Sequence, residues 1–223
     1  MTAEAQTPVL EAALDGVKGD DLAEFAVAVG QHTEFGIAAF NEPIANAARN
    51  AESLNGLRAS ILSNFDGAGS DRFLLSTLDL TAADIAWLDG EVERARAVRL
   101  LRRLVDDASP RALVSVQRDS TSRDRILGLL MDDIAGSAGQ LIRVASSSDL
   151  PIGRLLDVGR APLPFLAREQ RDKFVTELLG RALAEADLDD ARVPPCWRTR
   201  AVRFRPVSWS IWPHRRGRRR SGS

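Results

Sequence analysis

The sequence predicts an all-α protein, a multi-helix bundle followed by a basic, disordered C-terminal tail. Three observations carry that prediction. Apolar residues recur at spacings of three and four through most of the first 190 positions, the period of a helix face. Short runs of Gly, Pro, Ser and Asp separate these segments, and most breaks are followed by a residue that can cap a helix. One segment alone, Leu113 to Val116, suits a strand, and a lone strand has no partner. The chain has 223 residues, 44% of them hydrophobic, which is enough to bury the core of one domain or two small ones.

Residues 1–19 read as a weak helical start. Asp21 and Glu24 have the form of a capping box. Leu22, Phe25, Ala26 and Val29 follow at helical spacing, with Gly30 as the expected stop. Asn41 and Pro43 mark a second start. From Ile44 to Phe65 the stripe runs on as one long helix or a kinked pair, interrupted at Gly56. Asp66 to Ser70 is the clearest internal break. It separates an N-terminal helical segment, 1–66, from a main bundle, 67–190, as two subdomains or parts of one domain.

Thr81 and Asp84 open the next helix. Its apolar stripe changes side after Gly90, so a bend there or contact with core on two sides is expected. Arg102–Asp106 and Arg103–Asp107 are four apart and suited to pair. Ser109-Pro110 ends that helix, and 113–116 is expected to be a loop or extended connector. Thr121 starts another helix, Gly136 and Gly139 loosen the chain, and Ser146 to Asp149 form a turn before Ile152 to Val158. Pro162 and Pro164 make a corner. The last helix has the best stripe: Phe174, Val175, Leu178, Leu179, Ala182, Leu183 and Ala186.

Charge divides the chain sharply. The formal net charge is −1. Residues 1–190 hold 20 basic and 31 acidic residues, a net of −11, whereas 191–223 hold ten arginines and no acid. An asymmetry of this kind marks a tail with a separate role. In it Trp197, Phe204, Trp209 and Trp212 alternate with arginines such as Arg203. That composition suits stacking on single-stranded nucleic acid or an anionic membrane surface. It also matches the product of a shifted reading frame in a GC-rich gene, and the frame-altered or unstructured reading is preferred.

The chemistry-bearing residues are few. One cysteine and two histidines exclude an intrachain disulfide and a multi-cysteine metal site. No P-loop or nucleophile-elbow pattern is present. Asp20, Asp21 and Glu24 have the DDxxE form used for magnesium in isoprenoid enzymes, without a second metal motif, so helix capping is the preferred account of them. The stretch 138–165 has the outline of a helix-turn-helix, with Arg143, Arg154 and Arg160 able to reach phosphates and Ser146 to Ser148 able to donate, but the acidic surroundings repel DNA and plain bundle packing is the preferred account. Arg96, Arg99, Arg102 and Arg103 form a basic cluster that could take phosphate, RNA or an acidic partner, but Glu91, Glu93, Asp106 and Asp107 bracket it, and a solvated, self-compensating face is the preferred account.

The function expected first is therefore a non-catalytic helical regulatory or interaction protein with a protein partner. A DNA- or RNA-binding regulator comes second and a metal-dependent all-α enzyme third. No cofactor is expected. No stretch is long and apolar enough to span a membrane, no secretory signal is visible, and a cytoplasmic location is expected. A homo-oligomer is compatible with this reading.

Overall fold

Five helix starts in this chain are set by side chains that satisfy the orphan N–H groups of a first turn. The computed structural model describes residues 10, 12–17, 19–33, 35 and 38–190. From Gly19 onward it contains eleven α-helices and one 3₁₀ turn, with no strand among the described residues. They are α1 (Gly19–Thr33), α2 (Ala38–Asn50), α3 (Leu54–Asn64), α4 (Ala68–Ser76), α5 (Ala82–Glu91) and α6 (Arg94–Asp107). After these come α7 (Pro110–Gln117), α8 (Ser120–Met131), α9 (Ile134–Ser146), α10 (Ile152–Arg160), the 3₁₀ turn (Leu163–Phe165) and α11 (Arg168–Asp190). The all-α bundle is as expected. The tail 191–223, with Trp197, Arg203, Trp209 and Trp212, lies outside the described residues. So does most of the N-terminal start.

Five caps are formed by side chains. Thr81 and Asp84 make a full capping box at α5. Glu93 accepts from Ala95 N and Arg96 N at α6, and Ser109 accepts from Ala112 N at α7. Asp119 and Asp133 cap α8 and α9. Hydrogen bonds from Ala95 N and Arg96 N hold the Glu93 carboxyl below the usual glutamate range.

Several boundaries differ from the expectation, each for a physical reason. Segment 113–116 is helical, because Ser109 is an N-cap and Pro110 fits the first turn of α7. The stripe changes side after Gly90 because α5 ends at Glu91 and a second helix starts behind the Glu93 cap. The 44–65 stripe is two helices, parted at Ala51–Ser53 and not at Gly56, with Glu52 in a left-handed conformation at φ 53°. Pro43 lies inside α2, and Asn41 is buried there instead of capping it. Gly67, at φ 109° and ψ −177°, occupies backbone space that only glycine enters freely, which explains the clean break before α4.

Gly30 corrects the reading of a stop. It is buried inside α1. A Cβ there would lie 2.4 Å from Phe35 Cζ and 2.7 Å from Phe65 Cζ. The missing side chain lets two rings close on the helix. Phe35 packs edge-on to Phe65 at 5.0 Å and tilted against Phe73 at 4.8 Å. Its own backbone is left-handed at φ 55°, a cost of roughly 1–2 kcal/mol for a bulky residue that this packing offsets.

One core cluster continues from Leu14 to Phe174. In it α1 packs on α3, and α8 touches α5, α6, α7 and α9. The described residues through Arg181 belong to one compact unit; a second begins at Ala182, where the helix continues to Asp190. The stripe of α11 is only half used: Phe174 is buried, whereas Val175, Leu179 and Leu183 are 40%, 58% and 64% exposed.

Charged groups are also buried in the core. Arg58 of α3 is 3% exposed. Its Nε donates to Thr77 Oγ1 at 3.0 Å, its Nη2 to Asp84 Oδ1 at 2.7 Å and to Thr77 O, and its guanidinium lies 4.8 Å from the Trp87 ring centroid. Asp84 Oδ2 accepts from Asp79 N, Thr81 N and Thr81 Oγ1. Burial opposes ionisation of Asp84, but the hydrogen bonds from Asp79, Arg58 and Thr81 outweigh it and hold the carboxyl below its usual range.

Two outcomes follow from this packing. Gly30→Ala drives a methyl into two pinned rings and costs about 2 kcal/mol in urea unfolding, whereas Gly128→Ala, whose Cβ meets open space, stabilises by up to about 1 kcal/mol. Asp84→Asn costs about 3 kcal/mol at pH 7, because it leaves Arg58 buried without its counter-charge. A carboxyl with a lowered folded pKa stabilises fully above its unfolded pKa of about 3.9 and less as pH falls through the folded value. The gap between variant and parent unfolding energies therefore narrows below about pH 4.

Candidate functional site

The expected arginine cluster lies on α6, and its members have different surroundings. Arg96 is 6% exposed. Its Nε donates to Asp71 Oδ1 at 2.8 Å, its Nη1 to Phe65 O at 2.9 Å and its Nη2 to Ser70 Oγ at 2.7 Å. It ties α6 to the end of α3 and the first turn of α4. Arg99, about one turn further along α6, is half exposed and donates to Asp71 Oδ2 at 3.3 Å. Arg103 is exposed.

Arg99 and Arg103 open on a groove of about 950 Å³ between α4 and α6. Arg72 stands on its α4 side, and Leu75 and Leu100 are among the residues that line it. Neither expected pair within α6 forms: Arg103 and Asp107 do not meet, and Arg102 and Asp106 take longer-range partners. Arg102 reaches Asp133 at 3.3 Å, and both oxygens of Asp106 accept from Gln140 Nε2 at 2.8 and 2.9 Å. A flexible side chain takes the partner that tertiary packing brings within reach, since an i,i+4 pair on a helix surface contributes only about 0.5 kcal/mol.

The helix-turn-helix candidate has its two helices, α9 and α10, joined through 147–151. Its phosphate contacts are divided. Arg143 donates to Asp106 O and Ala108 O, satisfying carbonyls at the end of α6. The Ser147 and Ser148 hydroxyls donate to carbonyls of α9, and Arg181 caps the same turn through Ser146 O and Ser148 O. Arg154 and Arg160 are exposed on α10. That helix is held from behind by Leu155 and by Gly159, where a Cβ would lie 2.4 Å from the Phe174 ring.

Asp20, Asp21 and Glu24 are exposed in the first turns of α1. Asp20 and Glu24 line a groove of about 470 Å³ with Ser60 and Asn64, and Asp21 does not line it. Among the described residues no three metal-ligating side chains come together. The helix now begins at Gly19, so Asp21 is inside the first turn and not the cap.

The sequence pattern pointed to the exposed arginines of α6 and missed Arg72, which stands alone on a short helix. It also missed the internal roles of Arg58 and Arg181. No local signal marks those roles, because the partners that define them lie 19 to 35 positions away, although Arg181 also meets Glu177, four positions before it, at 3.2 Å.

Arg96→Met should cost about 3 kcal/mol in chemical denaturation, since Asp71, Ser70 and the Phe65 carbonyl lose a buried charged donor. Arg99→Ala, on the next turn, should change stability by less than about 1 kcal/mol. Comparison with known proteins adds no relative: no family model matches the chain, and no curated protein or solved structure matches it.

Proposed function

We propose that the chain is a non-catalytic helical interaction protein that binds a protein partner through the outer side of α10, the 3₁₀ turn and α11. One observation carries this reading. Of the eight exposed large apolar side chains among the described residues, five lie in these consecutive elements, and four of those, Leu156, Phe165, Val175 and Leu179, belong to the compact unit. They are 40–58% exposed, beside the buried Leu155, Leu166 and Phe174. Single exposed apolar residues are ordinary, but such a concentration marks a surface that gains from being covered. An amphipathic partner helix with apolar anchors at the same three-and-four spacing matches it.

The nucleic-acid reading has less support. Arg143 and the turn serines are engaged inside the bundle, which leaves Arg154 and Arg160 as the free contacts of that segment. The net charge of −11 over residues 1–190 repels a phosphate backbone. No helix among the described residues is long and apolar enough to cross a membrane.

The test is a partner recovered with the full chain from its own cells, purified and titrated against parent and Val175→Asp/Leu179→Asp protein. Binding should weaken at least about tenfold, the effect of losing roughly 1.4 kcal/mol at the interface centre, with thermal stability unchanged. Full affinity in the variant for every recovered partner would sink the reading, and so would loss of binding in Arg154→Ala alone together with DNA retardation.

A further inference from the structure

The groove between α4 and α6 has a charge distribution that pairing within the protein does not complete. Of the four acids lining it, Asp71 is held by Arg96 and Arg99, Asp106 accepts only from the neutral Gln140 amide, and Asp107 makes no hydrogen bond or ion pair among the described residues. Asp66 accepts from Gly67 N and lies 3.9 Å from Arg99 Nη2. Four arginines face these four acids; Arg102 pairs with Asp133, and two of the others make no ion pair among the described residues. Arg103 makes no hydrogen bond or ion pair among the described residues, its i,i+4 neighbour Asp107 notwithstanding. Arg72 makes a single long bond, Nε to Ala68 O at 3.4 Å. Arg99, half exposed and attached to Asp71 by one edge of its guanidinium, stands on the same wall as Arg103.

The backbone of the rim adds to this. Gly67 caps α4 without a side chain, so no side-chain acceptor covers the first N–H groups of that helix, and Gly67 and Ala68 line the groove. Buried Arg96 fixes α4 against α6 through Asp71, Ser70 and Phe65. The arginines therefore project from a rigid base, and little ordering is left for a ligand to impose.

We propose that this groove binds a phosphoryl group, with Arg72 and Arg103 as its principal donors and Arg99 as a third. A guanidinium presents two parallel N–H groups that match two oxygens of a phosphate, and such bonds are about twice as strong as neutral ones. Leu75, which is partly exposed, offers apolar contact to whatever carries the phosphate. The carrier is a small phosphorylated metabolite or a phosphorylated side chain of another protein, and both present the same oxyanion. This site is separate from the apolar face of α11 and stands independently of it.

The test is an NMR titration of the full chain with inorganic phosphate at fixed ionic strength, set against chloride. Saturable shifts are expected at the Ala68 and Gly69 amides and the Arg72 and Arg103 Nε signals, with Kd on the order of 1 mM. Arg72→Ala/Arg103→Ala should weaken binding at least about tenfold, and Arg72→Lys/Arg103→Lys should retain part of it. Both side chains are exposed, so an unchanged melting curve establishes that the variants fold. A phosphoserine peptide binding more tightly than phosphate identifies a protein carrier; a sugar phosphate doing so identifies a metabolite. Shifts that do not saturate, that chloride reproduces, or that persist with the same Kd in Arg72→Ala/Arg103→Ala would overturn the proposal.

Discussion

Placing Arg58 at 3% exposure means that its charge has to be met from inside the protein. The partners are Thr77 and Asp84, which come from the end of α4 and the first turn of α5. The position of α3 is therefore tied to the turn between α4 and α5. Asp84 also completes the capping box that starts α5, so one carboxylate answers both a local and a long-range demand. The Trp87 ring closes the remaining face of the guanidinium. A buried pair of this kind adds little net stability compared with an apolar replacement, but breaking one side is expensive. Its effect is to make one arrangement of α3, α4 and α5 far better than the alternatives.

Arg96 repeats the arrangement one layer further along. It joins α6 to the same end of α3 through Phe65 O and to α4 through Ser70 and Asp71. Between these two fixed points the aromatic contacts of Phe35, Phe65 and Phe73 fill the space over Gly30. Directional bonds and close packing thus act together: the arginines set which elements meet, and the rings require them to meet closely. The same rigidity presents Arg72, Arg99 and Arg103 around the groove. It also contrasts with the α11 face, where Val175 and Leu179 are left with water on one side.

Much of the helical plan was readable in the residues. The Thr81–Asp84 box and the Ser146–Asp149 turn are local events, governed by atoms within four positions of one another. The glycines were less readable, because glycine serves two unlike purposes. Gly67 is required for its positive φ, and Gly30 for the absence of a side chain beside two rings. Both are a single letter in the sequence, and a stop signal was the natural reading of each. The helix at Pro110 was passed over for its β-branched residues, although the capping serine before it settles the matter locally. In the candidate site, Arg99 and Arg103 were visible as a cluster, while Arg72 across the groove had no pattern to announce it.

By itself the sequence determined the helical class, the Thr81–Asp84 cap, the acidic body and the abrupt basic change after residue 190. These follow from periodicity, short-range hydrogen bonding and composition, none of which needs distant parts of the chain to meet. Only the tertiary structure decided which arginines are structural and which face solvent. Arg58, Arg96, Arg143 and Arg181 are turned to carbonyls and carboxylates, while Arg103, Arg154 and Arg160 are exposed and Arg72 has a single long bond to Ala68 O. The physical reason is that a guanidinium is buried only when enough acceptors converge on it, and those acceptors come from positions brought together by the fold alone.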